Sequence, residues 1–270
     1  MRAALAALPI LAALAAPAHA GALADCMDPR ASGARLAEYC RAAAALPDLS
    51  ARERAAAQTN LGWALAGMGR HGDALAAYDA AAQSDPGFAP LYLNRARARA
   101  ERGMVRGALS DYAEAIKRSP RDAAPLLGRG AFYLRRGMAL EALEDFEAGL
   151  GRAPDDLDLR YNRGLALAAL GRHGEAAQAF GAVIAGDPSD AGARLERGKA
   201  LAAQGNRVMA LRDYRKAAEL RPEWPAPQVA LGRALEEQGD APGAARAYRR
   251  AFELGDRSDW LRARVQALGG

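Results

Sequence analysis

The chain has 270 residues, a formal net charge of +5, 51% hydrophobic and 26% charged side chains, and only two cysteines. Two cysteines exclude a disulfide-dense scaffold, and after the first twenty residues no apolar stretch is long enough to span a bilayer. The basic balance does not predict a nucleic-acid partner either. All but Lys117, Lys199 and Lys216 of the 37 basic residues are arginine, and acidic residues alternate with them as they do on solvated helix faces.

Met1 and Arg2 open the chain, Ala3 to Ala16 make an apolar run interrupted by Pro9, and Ala18, His19 and Ala20 match an A-x-A cleavage site. This pattern is a secretory signal peptide over residues 1–20. It predicts cleavage after Ala20, a periplasmic or secreted mature protein, and no membrane insertion once the signal is removed. Asp25 stands before Cys26 where lipidation needs a small residue, so no lipid anchor is expected.

Residues 21–50 read as an N-terminal capping segment. A strand-like entry over Ala24 to Pro29 leads into a helix from about Gly33 to Ala45. Cys26 and Cys40 would meet an oxidising compartment, which predicts a disulfide between them. The loop it closes is worth about 3 kcal/mol in the chain-entropy picture. Two unpaired thiols are the alternative. Cys-x13-Cys without a nearby histidine is not a ligand spacing, so no metal is predicted. Ser50 and Glu53 have the spacing of a capping box, which starts the next helix near Ala51.

From there the chain repeats, as six tandem units within 51–258. Pro86, Pro120, Pro154, Pro188 and Pro222 stand 34 residues apart and set the units 55–88, 89–122, 123–156, 157–190, 191–224 and 225–258, with proline at place 32. The sixth unit carries Asp256 there instead. Place 20 is always alanine (Ala74, Ala108, Ala142, Ala176, Ala210, Ala244) and place 24 always aromatic (Tyr78, Tyr112, Phe146, Phe180, Tyr214, Tyr248). Place 15 is always glycine, and place 8 is glycine or, in Ala96, alanine. Places 4, 7, 8 and 11 share one helical stripe, and places 20, 21, 24, 27 and 28 another, so each unit holds two amphipathic helices. The place 15 glycine ends the first helix and the proline closes the second. A C-terminal capping helix over 259–270, with Trp260 and Leu261 turned inward, finishes the array.

A 34-residue period with these columns resembles the tetratricopeptide repeat, or TPR. The resemblance implies an all-α, right-handed superhelical solenoid of six helix pairs with N- and C-terminal capping helices. It also implies an inner groove lined by the first helix of each pair. One departure is at place 4, bulky in the family but here Gln58, Tyr92, Leu126, Arg160, Arg194 and Gln228, which predicts loose joints between units.

Place 7 carries Arg95, Arg129, Arg163 and Arg197 in the four middle units and leucine in the outer two. Aspartate stands at place 23 in three of those four. Arginine at a helix interface needs a partner, which predicts structural salt bridges Arg95 to Asp111, Arg129 to Asp145 and Arg197 to Asp213. Arg163 has no such partner.

The groove positions carry the functional reading. Place 6 holds Asn60, Asn94 and Asn162, a broken version of the asparagine ladder that the resemblance to O-GlcNAc transferase TPR regions brings to mind. Asparagine offers both a donor and an acceptor to an extended peptide backbone. The same residues also fit a merely solvated place, and both readings stand. With Trp63, Arg97, Tyr161, Lys199 and Arg233 they form the candidate peptide-binding groove. The lysine-bearing clamp of TPR co-chaperones is missing, since place 5 has Thr59, Leu93, Leu127 and Tyr161. His71 and His173 lack a nucleophile or metal partner at any fixed spacing, so no catalytic residue and no cofactor is predicted. The expectation is a non-catalytic periplasmic scaffold or adaptor for a protein or peptide, in envelope assembly or secretion. Self-association without a separate groove ligand is the alternative.

Overall fold

The computed structural model describes residues 20–269, so all of the predicted signal peptide except Ala20 lies outside the described residues. Among the described residues there are fifteen α-helices and no strand. No described helix is long and apolar enough to cross a membrane. The chain divides into two compact units meeting at Arg129 and Gly130.

The first unit begins with α1 (Ala20–Met27) and α2 (Gly33–Ala44), then α3 (Ala51–Gly67), α4 (His71–Ser84), α5 (Ala89–Glu101) and α6 (Val105–Arg118). The strand-like entry expected over Ala24 to Pro29 is thus corrected: a helix runs through Met27. Burial decides it, because Leu23 and Cys26 pack with Leu36, Ala37, Cys40 and Ala43 on one side of α2, a spacing that only a helix provides. The Cys26–Cys40 disulfide ties α1 to α2, and both sulfur-bearing residues are buried. Ser50 and Glu53 form the reciprocal capping box that starts α3. Helices α3 and α4 pack as a pair, as do α5 and α6, and α3 also touches α5.

Helix α7 (Ala124–Arg135) spans the division between the units. The second unit continues with α8 (Ala139–Arg152), α9 (Leu157–Ala169), α10 (His173–Gly186), α11 (Ala191–Ala203), α12 (Arg207–Leu220), α13 (Pro225–Glu237), α14 (Ala241–Glu253) and α15 (Asp259–Gly269). Within it α9 touches α11 and α11 touches α13, so first helices of successive pairs lie side by side. Leu261 of α15 is fully buried against this unit's core, whereas Trp260 stays 41% exposed. The inward turn expected of Trp260 is thus only partial: its ring meets the buried Tyr248 edge-on, centroids 5.5 Å apart, while much of it stays exposed.

The two ends of each pair follow from the sequence columns. Gly69 has φ +74°, its N–H reaches the Ala66 carbonyl and the Arg70 N–H reaches that of Leu65, the crossed bonds of a Schellman cap. At the end of second helices, Asp85 and Asp187 are extended and Ser119, Ala153 and Arg221 have also left the helical region, as expected of the residue before proline. Asp256 breaks that rule in the sixth unit. There Gly255 takes φ +101° and the Asp256 N–H reaches the Ala251 carbonyl, so a glycine cap replaces the proline stop before α15.

Packing inside each pair rests on two columns. All six place 20 alanines have no exposed surface. The aromatic of the second helix lies directly over the small residue of the first: a Cβ built on Gly62 would stand 2.5 Å from the Tyr78 ring, and one on Gly198 2.5 Å from that of Tyr214. Each such ring removes about 150 to 250 Å² from water. Where loose joints were expected at place 4, two of the six side chains bond the preceding proline turn: Tyr92 Oη donates to the Pro86 carbonyl at 2.8 Å and Arg194 Nη2 to that of Pro188 at 3.0 Å.

Candidate functional site

The partly buried place 7 arginines Arg95, Arg163 and Arg197 pair with carboxylates of the fold. Arg95 donates through Nε and Nη2 to Asp111 at 2.9 and 2.8 Å, and Arg197 donates in the same two-pronged way to Asp213 at 2.7 Å each. The Asp111 and Asp213 side chains are 4% and 2% exposed. Donating to these carboxylates holds both guanidinium groups above their ordinary pKa, against the opposing effect of burial. Arg129 closes the first unit and Asp145 is buried in the second.

The sequence reading missed a second set of carboxylates, at place 25. Asp79 accepts from Arg95 Nη1 at 2.8 Å, and Glu147 accepts from Arg163 at 3.1 and 3.2 Å. Arg163 therefore does have a partner, in the preceding repeat. The signal was present: place 7 lies 16 residues from place 23 of its own unit and also 16 from place 25 of the unit before. Arg99 completes the first-unit network, donating to Asp111 at 2.7 Å.

The candidate groove residues divide between the units. In the first, Asn60 and Trp63 on α3 and Asn94 and Arg97 on α5 line one open cleft of about 860 Å³. Met27, Asp28 and Leu36 of the cap form another part of its wall, and Arg52, Phe88, Leu93, Arg118 and Asp122 also line it. That volume is in the range of ligand sites. Trp63 packs against the cluster that joins α2 to α3. Asn60 is already spent: its Nδ2 donates to the Cys26 carbonyl at 3.2 Å and lies 3.1 Å from the Met27 sulfur. Asn94 makes no hydrogen bond with its side chain among the described residues, and Arg97 makes no ion pair there.

In the second unit the candidates are turned to other tasks. Asn162 Nδ2 donates to the Asp158 carbonyl one turn back at 2.8 Å, the solvated-helix alternative for this place. Lys199 pairs with Glu196 at 2.8 Å. The Tyr161 ring meets Phe180 edge-on at 5.5 Å, and the Arg233 guanidinium lies 4.3 Å over the Trp260 ring, holding α15. Among the described residues no group of histidine, cysteine, aspartate and glutamate is placed to hold a metal ion.

Models of the tetratricopeptide repeat match residues 55–88 and, in overlapping stretches, 93–156, 133–191 and 161–225. The chain belongs to the tetratricopeptide repeat family. Among solved structures, a TPR protein from Parabacteroides merdae is 22% identical, with a TM-score of 0.62 over 87% of this chain and 92% of that one. PilW, described as a type IV pilus biogenesis factor, is 19% identical with a TM-score of 0.70 over 77% of this chain and 97% of its own. YrrB, described as a TPR protein with an unusual peptide-binding site, is 24% identical with a TM-score of 0.54 over 63% and 88%. A comparison with curated proteins finds no match. These likenesses, each under 25% identity, show the TPR fold.

Proposed function

We propose that this TPR protein is a non-catalytic adaptor, exported to the periplasm, that holds an extended segment of another protein in the first-unit cleft. The observation that carries the reading is the cleft itself. Its lining includes Asn94 and Arg97, which have no side-chain hydrogen bond and no ion pair respectively among the described residues, together with Trp63, on a surface of ligand size. The aligned first helices present that surface, and the disulfide holds the cap at its edge. The export reading rests on the A-x-A pattern and on a buried disulfide, which persists in oxidising compartments.

The test is cross-linking in a periplasmic extract with purified mature protein, repeated with Trp63→Ser and Asn94→Ala. A specific partner captured by the parent and lost in both variants supports the adaptor. An oligomer seen by light scattering that neither variant changes, with no other partner, would leave self-association as the better account. Mass spectrometry of the exported protein should find Gly21 as its first residue.

A further inference from the structure

Helix α5 carries two classes of arginine, of which only Arg97 lines the first-unit cleft. On the inter-helix side of α5, Arg95 and Arg99 are satisfied by Asp79 and Asp111. On the cleft side, Arg97 meets no carboxylate at ion-pair distance among the described residues. Arg52 of α3, in the same lining, has only the Phe88 ring, 5.7 Å from its guanidinium carbon. The lining's own acids are engaged elsewhere. Asp28 pairs with Arg30 at 3.0 Å and Asp122 accepts from the Ala124 N–H at 2.9 Å. Arg118 is also committed, to Glu114, to the Pro86 carbonyl at 3.1 Å and to the face of Tyr92 at 4.6 Å. The lining thus sets three arginines against the two carboxylates Asp28 and Asp122 and is net positive, and Arg52 and Arg97 are its cations without a carboxylate at ion-pair distance among the described residues.

The cap shows what the wall accepts. Where the chain leaves α1, the Cys26 carbonyl takes a hydrogen bond from Asn60 and the Met27 side chain packs against the cluster of Ala55, Ala56, Phe88 and Leu91. A main-chain carbonyl and an unbranched apolar side chain are thus bound together against α3. One repeat further on, α5 offers the same elements in Asn94 and Leu93, with Arg97 added.

Resting on the adaptor reading above, we infer that the cleft selects an extended partner segment in which acidic residues alternate with leucine- or methionine-like ones. A backbone carbonyl of the segment accepts from Asn94, an apolar side chain packs on Leu93 and Phe88, and its carboxylates pair with Arg52 and Arg97. Charge complementarity makes the partner acidic, and the Met27 contact shows that the same wall also takes an unbranched apolar side chain.

Three fluorescein-labelled peptides test this by anisotropy with the full oxidised protein: one alternating aspartate with leucine, one glutamine with leucine, one lysine with leucine. The aspartate peptide is expected to bind tightest and to weaken with added salt. Arg97→Gln and Arg52→Gln should each weaken it by about five-fold, whereas Arg106→Gln, exposed on α6 outside the lining, should not. Circular dichroism melts confirm that each variant is folded. Equal or tighter binding of the glutamine or lysine peptide, or indifference to Arg52→Gln and Arg97→Gln together, overturns the acidic selection. If Trp63→Ser still weakens such binding, the cleft remains the site. Failure of all three peptides overturns the inference, and the adaptor reading falls with it only if a captured partner also ignores Trp63→Ser.

Discussion

Replacing Gly181 by glutamate should add an ion pair that one repeat joint lacks. Arg95 uses Nε and Nη2 on Asp111 and turns Nη1 to Asp79 of the preceding repeat at 2.8 Å. Arg197 repeats the first half of this arrangement on Asp213, but place 25 before it is Gly181. A Cβ built on Gly181 meets only Arg197 Nη1, at 3.8 Å, so a side chain there is both unhindered and aimed at an idle donor. Two effects must be separated. Gly181 lies within α10, where any residue with a Cβ is favoured over glycine, so Gly181→Ala should stabilise by about 0.8 to 1 kcal/mol. Glutamate should exceed alanine by a further ~0.5 kcal/mol, because the Arg197 side chain is 23% exposed and the new pair is partly screened. Thermal melts by circular dichroism, where 1 kcal/mol is worth about 2 to 4 °C at this chain length, resolve both steps. The increment over alanine should vanish in high salt and in the Arg197→Gln background. A glutamate variant no more stable than the alanine variant, or an increment that survives Arg197→Gln, would refute the inter-repeat role assigned to place 25.

The remaining predictions concern packing, the disulfide and pH. Gly198→Ala puts a Cβ 2.5 Å from the Tyr214 ring and 3.3 Å from the Ala210 carbonyl, and should cost about 1 to 3 kcal/mol in urea unfolding. It should fall at the low end, since Ala96 occupies the same place opposite Tyr112 in the second repeat. Cys40→Ser removes a link worth about 3 kcal/mol and should strip hydrogen-exchange protection from α1 and α2 while leaving α9 to α14 unchanged. Burial pushes the Tyr214 hydroxyl up to about 12, so the folded chain holds a proton there that the unfolded chain releases near pH 10. Stability from this group is complete below pH 10 and is lost as pH rises toward about 12, by up to 1.4 kcal/mol per pH unit. Tyr214→Phe should flatten that decline, and an unchanged alkaline slope would count against burial as the cause.

Local chemistry was the legible part. The place 15 glycines, the prolines, the capping box and the place 7 to place 23 pairs each have a short-range cause, and the columns display the glycine six times, the proline five and the arginine–aspartate pattern three. What escaped depends on contacts between segments. Helix α1 reads as extended because Asp28 and Pro29 dominate its end, and it coils because Leu23 and Cys26 must face α2 together. Asp79 and Glu147 were passed over because their column is acidic in only two units and their partners belong to the next repeat. The candidate groove was legible as a column of asparagines, but not which asparagine is available. That depends on Met27 and Cys26, residues outside the repeats altogether.

The caps explain why a column that repeats in sequence need not repeat in function. A helix pair at the end of an array has an inner face that no neighbouring pair extends, and something must cover its apolar part. At the first repeat α1 does so, and Asn60 becomes the donor that fixes it. At the sixth, α15 does so, and Arg233 is held over Trp260. The same side chains that would face a ligand in mid-array are thereby consumed as anchors. Asn94 and Arg97 stand one repeat inside the N-terminal anchor and have no such duty. The disulfide then acquires a role beyond stability. By fixing the α1 to α2 unit it fixes Met27 and Asp28 as the wall beside Asn94, and the width of the cleft follows from a covalent link in the cap.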